Sequence, residues 1–504
     1  MILRSFATAL FCTAGIAFAQ EPVAEPVLAE DSLFIDFEKA IETVVKNNAD
    51  IQEAKFLWRS NAELAIGAYG DFEPHLIGRL NKERGDSPSA LFTETKDEYK
   101  LGVQGKLPTG TEYDVGFNQA TYTHSDYTSE LYFGAELRQH LLKDGLMFFT
   151  PTKNIREAKL QKELAYQKYR ETLSDILEKF CNAYWNYHFA QQSLQFATES
   201  ARVASEISGD AKKRVELGLV SMLDYQKTVA EFSDRENARI EALDQLRNAR
   251  LELLLMIASP EVLHDLRPVS IRPDTTLDTN ITLDSASFLD SISLMHPSYL
   301  AQSTELNLRE EELDARKTNA MPTLDLIGSY GIRSRNSNAK LAVSNFKEPE
   351  RRQTVISGGI EIDIPLFANV RERHQIASER ANVHSARIKL SLIQNRLFEE
   401  YRILQTRSQE IRRQWQYGEV AVAYHKKELE EEFKKLALGK SNYHQIFEME
   451  EDLREARQKH LENMRMLRII DVRLARARGK LLMQTGLEKW SQGKLSLRED
   501  LLHD

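Results

Sequence analysis

NADIQEAKFLWRSNAELAIGAYGDFEP (48–74) and HPSYLAQSTELNLREEELDARKTNAMP (296–322) align without a gap, and the layout they share decides the fold. In the first copy an amphipathic stretch (34–70) leads to Pro74 and then Leu76; in the second, 283–319 leads to Pro322 and then Leu324. Beyond each proline the apolar residues change from a helical period to alternation, as where a helix gives way to a strand. A second pair of landmarks follows. LGLVSMLDY (217–225) and LGKSNYHQI (438–446) each come after one very long helical segment and before another. Their spacing agrees: His140 to Gly218 spans 78 residues and Pro365 to Gly439 spans 74. The chain is one unit written twice.

The long segments carry a coiled-coil period. Ile446, Met449, Leu453, Ala456, His460, Met464, Leu467, Ile470, Leu474, Ala477 and Leu481 follow one another at steps of three and four. Their mean is about 3.5, the heptad value. Val383, Ala386, Leu390, Ile393, Leu397, Tyr401, Leu404, Ser408, Ile411 and Trp415 repeat the pattern. These stripes read as seams between helices, not as a cofactor site. A helix over 152–216 would be roughly 97 Å long, and helices over 37–72 and 221–258 roughly 54 and 57 Å. Two short helices stacked end to end therefore match one long one. The segments 284–320, 369–437 and 443–485 give the same result, a tall wall of paired helices. Thr150-Pro151 reads as an N-cap and first-turn proline for the first long helix.

Strands lie between the helices. LYFGAELRQ (131–139), YKLGVQGKL (99–107) and IEIDI (360–364) alternate apolar and polar residues. In a soluble sandwich the apolar face is core; in a barrel it faces lipid and the charged face lines water. Pro74 to His140 spans 66 residues and Pro322 to Pro365 spans 43. The excess of 23 residues fits a hairpin, 97–107 and 111–122, turning at Pro108-Thr109-Gly110. That hairpin enters the barrel wall, for six strands per subunit, or sits outside it, for four.

The 504 residues carry a formal net charge of -9 and a mean hydropathy of -0.46, which argues against a nucleic-acid partner. Arg4, the apolar run Ser5 to Phe18 and the Ala17-Phe18-Ala19 site read as a secretory signal (1–19), followed by a flexible extension (20–32). Removal of the signal takes Cys12 with it, leaves Cys181 alone and excludes an intrachain disulfide. No run of 18 apolar residues occurs in the mature chain, so any membrane contact is made without a transmembrane helix.

A signal, a duplicated helix–hairpin–long helix–helix unit and two Leu-Gly landmarks together resemble the TolC-like outer-membrane efflux protein family, over nearly the whole mature chain. The resemblance implies a mixed, mainly α fold with transmembrane β-strands. It implies a homotrimer sharing one β-barrel in the outer membrane of a Gram-negative cell, continuing as a periplasmic α-helical barrel. Its narrow end would meet a periplasmic adaptor and an inner-membrane transporter. The repeats would be 33–258 and 283–485, with a linker at 259–282 and a C-terminal tail at 486–504. By the same resemblance Pro74, Pro322 and Pro365 match helix–strand junction prolines, with His140 in place of a proline at the other junction. Leu217, Gly218 and Leu219, with Leu438, Gly439 and Lys440, match the turns at the adaptor-docking tip. Gln445 stands where some relatives carry a ring of aspartates that narrows the pore, and Glu448 matches a second acidic position.

Residue chemistry narrows these roles. A glycine permits the positive φ that ends a helix and reverses the chain. Ser221 and Asp224 have capping-box spacing, which competes with a pore role for Asp224. Three carboxylates at Glu448, if symmetry turned them to one axis, would favour bound cations. The sequence has no H-E-x-x-H, G-x-S-x-G or G-x-x-x-x-G-K-[ST] motif, so no catalytic set, metal site or cofactor is expected. The function expected is a passive exit duct for efflux or type I secretion. The competing reading is a periplasmic coiled-coil scaffold that never enters a membrane. Outward apolar strand faces with Tyr99, Tyr113 and Tyr132 would have no use in a scaffold.

Overall fold

The computed structural model describes residues 33–35, 37–86, 93–122, 129–145, 150–257, 269–271, 285–364, 370–491, 494–498 and 501. The expected signal, the N-terminal extension and Pro365 lie outside them.

Each repeat begins with two helices where one was expected. In the first, α1 (Phe37–Asn47) and α2 (Ala49–Gly67) part at Asn48, whose side chain accepts from the Ile51 N–H at 3.2 Å. A 3-10 turn, Ala68–Phe72, then leads to Pro74. In the second, α5 (Ser285–Met295) and α6 (Pro297–Asn319) part at His296, because Pro297 has no N–H to continue the ladder. The breaks fall at the first residue of each aligned stretch, so both repeats change direction at the same place.

The long helices are α3 (Thr150–Glu216) and α8 (Val370–Ala437), each roughly 100 Å at 1.5 Å per residue. Helix α3 already includes Thr150, so that residue is not a cap; its N–H reaches Asp144 Oδ1 at 3.2 Å. The return helices are α4 (Met222–Ile257) and α9 (Tyr443–Ala477). Helix α9 stops eight residues before the expected 485. Gly479 there adopts φ 69°, and Leu481 belongs to a separate short turn, α10 (Leu481–Gln484). The heptad stripes are the seams: Leu397, Tyr401, Leu404 and Ile411 of α8 are buried with Leu467, Ile470 and Leu474 of α9.

The main core sits midway along the molecule. There Tyr169, Leu173, Leu177, Phe180 and Tyr184 of α3 pack against α1, the end of α4 and the C-terminal segment. Cys181 is buried among them, and burial pushes its thiol up to about 12. Strand β1 (Leu33–Ile35) pairs in parallel with β6 (Val269–Ile271), which lies inside the expected linker. The C-terminal tail forms a hairpin, β9 (Glu488–Ser491) with β10 (Lys494–Leu497). Glu488 receives a two-pronged ion pair from Arg170 of α3, at 2.5 and 3.2 Å, and both residues are 1% exposed. A salt bridge taken fully out of water holds only with its remaining donors satisfied. Gln167 Oε1 and the Met295 carbonyl accept from the same guanidinium at 2.7 and 3.2 Å.

At the end away from the Leu-Gly turns lies one antiparallel sheet. It consists of β2 (His75–Asp86), β3 (Thr93–Lys106), β4 (Thr111–Tyr122), β5 (Ser129–His140), β7 (Thr323–Asn336) and β8 (Gln353–Asp363), in that order. The extra hairpin of the first repeat is part of it. Strands of 11 to 14 residues exceed the length needed to cross a hydrocarbon layer. A helix, α7 (Ala339–Lys347), connects β7 to β8.

Candidate functional site

Register sorts the sheet's side chains into two sets. Leu76, Val103, Val115, Ala135, Tyr330 and Ile356 lie in one row across all six strands, and Leu101, Phe117, Phe133 and Ile332 in another. This face is apolar and largely uncovered: Leu76 and Ile356 are each 75% exposed. A water-soluble sheet would bury such a face. An exposed patch of this extent marks contact with a partner or with lipid.

The opposite face is charged and cross-linked. Lys100 Nζ meets Asp114 Oδ2 at 2.5 Å, and Lys106 meets Glu112 at 3.0 Å. Arg138 reaches across three strands to Asp325 (3.0 Å) and Glu361 (2.7 Å). His140, the last residue of β5, places Nδ1 2.8 Å from Asp325 Oδ1. Arg333 and Arg335 share Glu130 at 2.8 and 2.9 Å. These pairs satisfy one another along the strands and leave a hydrophilic wall.

Four glycines cross that charged face in one row: Gly102 opposite Gly116, Gly116 opposite Gly134, Gly134 opposite Gly331. A Cβ on Gly116 would stand 2.6 Å from the Gly102 Cα, and one on Gly102 would stand 2.9 Å from the Val115 carbonyl oxygen. Side chains are excluded here because the backbones close in on the charged side, as where a sheet curls toward a barrel interior. Tyr132 folds over the end of the row, with the Arg333 guanidinium 5.9 Å from its ring centre.

At the other end of the molecule the two Leu-Gly turns have the same geometry. Gly218 (φ 70°) and Gly439 (φ 71°) both occupy the left-handed region. Leu219 N–H bonds to the Arg214 carbonyl, and Lys440 N–H to the Lys435 carbonyl, each at 2.9 Å. Both are helix endings of the Schellman type. Leu217, Leu219 and Leu438 project into solvent, each 72% exposed. Asp224 is held in the capping box: its N–H reaches Ser221 Oγ at 3.1 Å and its carboxylate accepts from the Ser221 hydroxyl at 2.7 Å. The backbone N–H of Gln445 is capped by Asn442 Oδ1 at 2.9 Å and its side chain accepts from Ser441. Gln445 and Glu448 both lie on the exposed side of α9, opposite Ile446, Phe447 and Glu450. Pro74 and Pro322 stand immediately before β2 and β7.

Two bonded groups at this end are absent from the sequence reading. Tyr443, the first residue of α9, donates to Asp210 Oδ2 on α3 at 2.7 Å. Arg214 holds the same carboxylate at 2.9 Å and lies over the Tyr443 ring. Burial, then the bond to Asp210, pushes the Tyr443 hydroxyl up to about 12, so it remains a donor at neutral pH. Deeper in, Glu450 of α9 accepts from Ser200 of α3 (2.5 Å) and Arg235 of α4 (2.9 Å), and Arg235 also reaches Glu451 (2.9 Å). The hydrogen bond from Arg454 holds the Glu451 carboxyl below its usual range. Glu450 was detectable: it lies four residues after Ile446 and three before Leu453, an acid in the buried seam. Asp210 was not, because only folding brings it beside a residue 233 positions away.

A charged-lined, apolar-backed sheet continuous with helices about 100 Å long defines a membrane-channel fold, and no described helix is long and apolar enough to cross a membrane. Residues 40–259 match the family described as outer membrane efflux protein, and the chain resembles its TolC-like members, which supports an outer-membrane location with a periplasmic portion. It is 24% identical over 284 residues to the protease secretion protein PrtF of Dickeya chrysanthemi, covering 54% of this chain and 58% of the relative. It is 29% identical over 231 residues to CyaE of Bordetella pertussis, covering 45% and 46%. The chain thus spans about half the length of the curated relatives it matches. Its fold is similar to the outer-membrane channel OprN, with TM-score 0.65 at 15% identity over 88% of this chain and 89% of that one. It is likewise similar to the CmeC channel of Campylobacter jejuni, with TM-score 0.63 at 15% identity, covering 88% and 85%.

Proposed function

We propose that the chain is one subunit of a homotrimeric exit duct, which passes substrate from a periplasmic adaptor and an inner-membrane transporter across the outer membrane by diffusion. The observation that carries this reading is the two-faced sheet. Its apolar side has little protein cover among the described residues, and its charged side is cross-linked by ion pairs. Strands β2 and β8 are the sheet's two edges, with unpaired outer sides among the described residues. Unpaired edges are not tolerated in hydrocarbon, so three six-stranded sheets joined edge to edge satisfy what one leaves open. The helices give the same argument: α8 exposes Ile388, Leu392, Ile403, Tyr417, Val420 and Tyr424 along its length, an apolar stripe that a second copy would cover.

In this assembly the segments 33–258 and 283–485 supply equivalent halves of the tunnel wall. The exposed leucines beside Gly218 and Gly439, with Lys440, form the adaptor-docking rim. Gln445 and Glu448 turn toward the axis just inside it, and Asp224 serves as a helix cap. The name of PrtF, a protease secretion protein, supports export as the direction of transport. The test is reconstitution of the mature protein from outer-membrane fractions into planar bilayers. Heat-modifiable trimer bands and discrete conductance are expected; a detergent-free soluble monomer that forms no channels overturns the reading. Within that experiment, Glu448→Gln is expected to lower cation selectivity, and unchanged selectivity removes Glu448 from the pore.

A further inference from the structure

Helix α7 (Ala339–Lys347) leaves β7 at the end of the sheet farthest from the helical wall, and it does not project into solvent. It folds back onto the apolar face. Phe346 meets Phe117 edge-on, with ring centres 6.2 Å apart, and Phe117 belongs to the apolar row. Ala342 is 1% exposed, and Leu131 and Ser334 on the same face of the sheet are also buried. Asn338 caps the helix by accepting from the Lys340 N–H at 2.9 Å. The side of α7 turned away from the sheet carries Leu341 (50% exposed) and Val343 (42% exposed). Around these lie Lys340, Lys347, Arg351 and Arg352, against only Glu348 and Glu350. Glu348 is taken by Arg351 at 2.9 Å, while Lys340, Lys347 and Arg352 meet no carboxylate among the described residues.

We propose that α7 is an interfacial helix, docked on the outer side of the barrel at the cell-surface rim, whose cations bind the anionic phosphate headgroups of the surrounding lipid. This rests on the outer-membrane duct proposed above. An amphipathic segment with apolar residues toward acyl chains and lysine and arginine at its margin lies in the plane of a bilayer surface, with its long cations reaching up to the phosphates. Basic residues at that depth each favour anionic lipid. The placement follows from continuity: α7 lies on the same face as Leu101, Phe117 and Ile356, and that face continues from the helix toward the middle of the sheet. A helix serving an extracellular protein partner would stand clear of the lipid-facing surface.

The test uses the full chain in nanodiscs containing brominated lipids, with V343W on the helix and L101W in the sheet as separate variants. Both positions are exposed. None of the four native tryptophans lies in the six-stranded sheet, so the unmodified protein supplies the background. The V343W indole is expected to emit blue-shifted light and to be quenched most by bromines near the headgroup, and the L101W indole by bromines deeper in the chains. Titration with phosphatidylglycerol and lipid A against phosphatidylcholine is expected to show tighter anionic binding. K340E/K347E/R352E is expected to weaken that preference about a hundredfold, from roughly fivefold for each of the three cations. Quenching of L101W without quenching of V343W overturns this inference and leaves the duct standing. Quenching of neither overturns both. Quenching of V343W with no headgroup preference, or with one that charge reversal leaves intact, overturns the assignment to anionic headgroups.

Discussion

Tyr443→Phe removes one oxygen atom from the latch between α9 and α3 and little else. The ring keeps its volume, its place beneath Arg214 and its burial against the α3 seam. What disappears is the 2.7 Å bond to Asp210. A hydrogen bond to a charged acceptor contributes about 1.5–3 kcal/mol net. The lower figure applies here, because the Asp210 side chain is 47% exposed and keeps Arg214 after the change. About 1.5 kcal/mol per subunit is roughly a tenfold shift toward the unlatched arrangement. In the proposed homotrimer, three latches released together multiply to a shift on the order of a thousandfold. In planar bilayers Tyr443→Phe is expected to raise open probability or conductance, and Asp210→Ala, which removes both partners, is expected to do so further. Thermal unfolding distinguishes gating from damage, since the midpoint should fall by only a few degrees. If both variants conduct as the unmodified protein does, the bond does not hold the tip, and the reasoning from its geometry fails.

Three further outcomes follow from buried or crowded groups. Glu488→Ala strands the buried Arg170 guanidinium with only Gln167 and a carbonyl, a loss of about 3–5 kcal/mol, so limited proteolysis should release the C-terminal hairpin before the helical wall. His296 is buried and pushed down to about 4, by burial first and by Arg476 and Arg170 after it, so it folds uncharged. The folded state therefore binds fewer protons than the unfolded one between about pH 6.5 and 4, and its contribution of about 3 kcal/mol is lost as pH falls through that window. Melting midpoints of the unmodified protein should drop more steeply from pH 7 to 4 than those of His296→Gln, and parallel curves would count against the assignment. Gly116→Val drives side-chain atoms into the Gly102 backbone on the charged face, so heat-stable oligomer bands should be lost while helical circular dichroism persists. Gly78→Val, whose site is open, should leave both intact.

Much of this molecule is legible one residue at a time. Period 3.5 in the long segments and period 2 between them fixed which residues face a neighbour, since each side chain's direction follows from local backbone geometry. The duplicated stretch located the junctions at Pro74 and Pro322 and the Leu-Gly landmarks the two tips, whereas the helix breaks at Asn48 and His296 fall where one continuous helix is expected. Chain length showed that a hairpin was extra, and left open whether it joined the wall.

Pairing places the hairpin inside the six-stranded sheet. Strands β3 and β4 lie inside the sheet because their rows of Leu101, Val103, Val115 and Phe117 continue those of β2 and β5. The glycine row, the Arg138 bridge and the Tyr443–Asp210 latch exist only where distant segments meet, and no local period announces them. The C-terminal segment gave no pattern at all, yet Glu488 is one of the most deeply buried charges, because Arg170 is waiting 318 residues upstream. Local geometry is dictated by nearest neighbours along the chain, so sequence alone determined the helices, the strands and their faces. Electrostatic pairing and close backbone approach depend on distance in space, and tertiary structure alone decided which charges are neutralised, where the strand backbones close in and which residues pair near the tip.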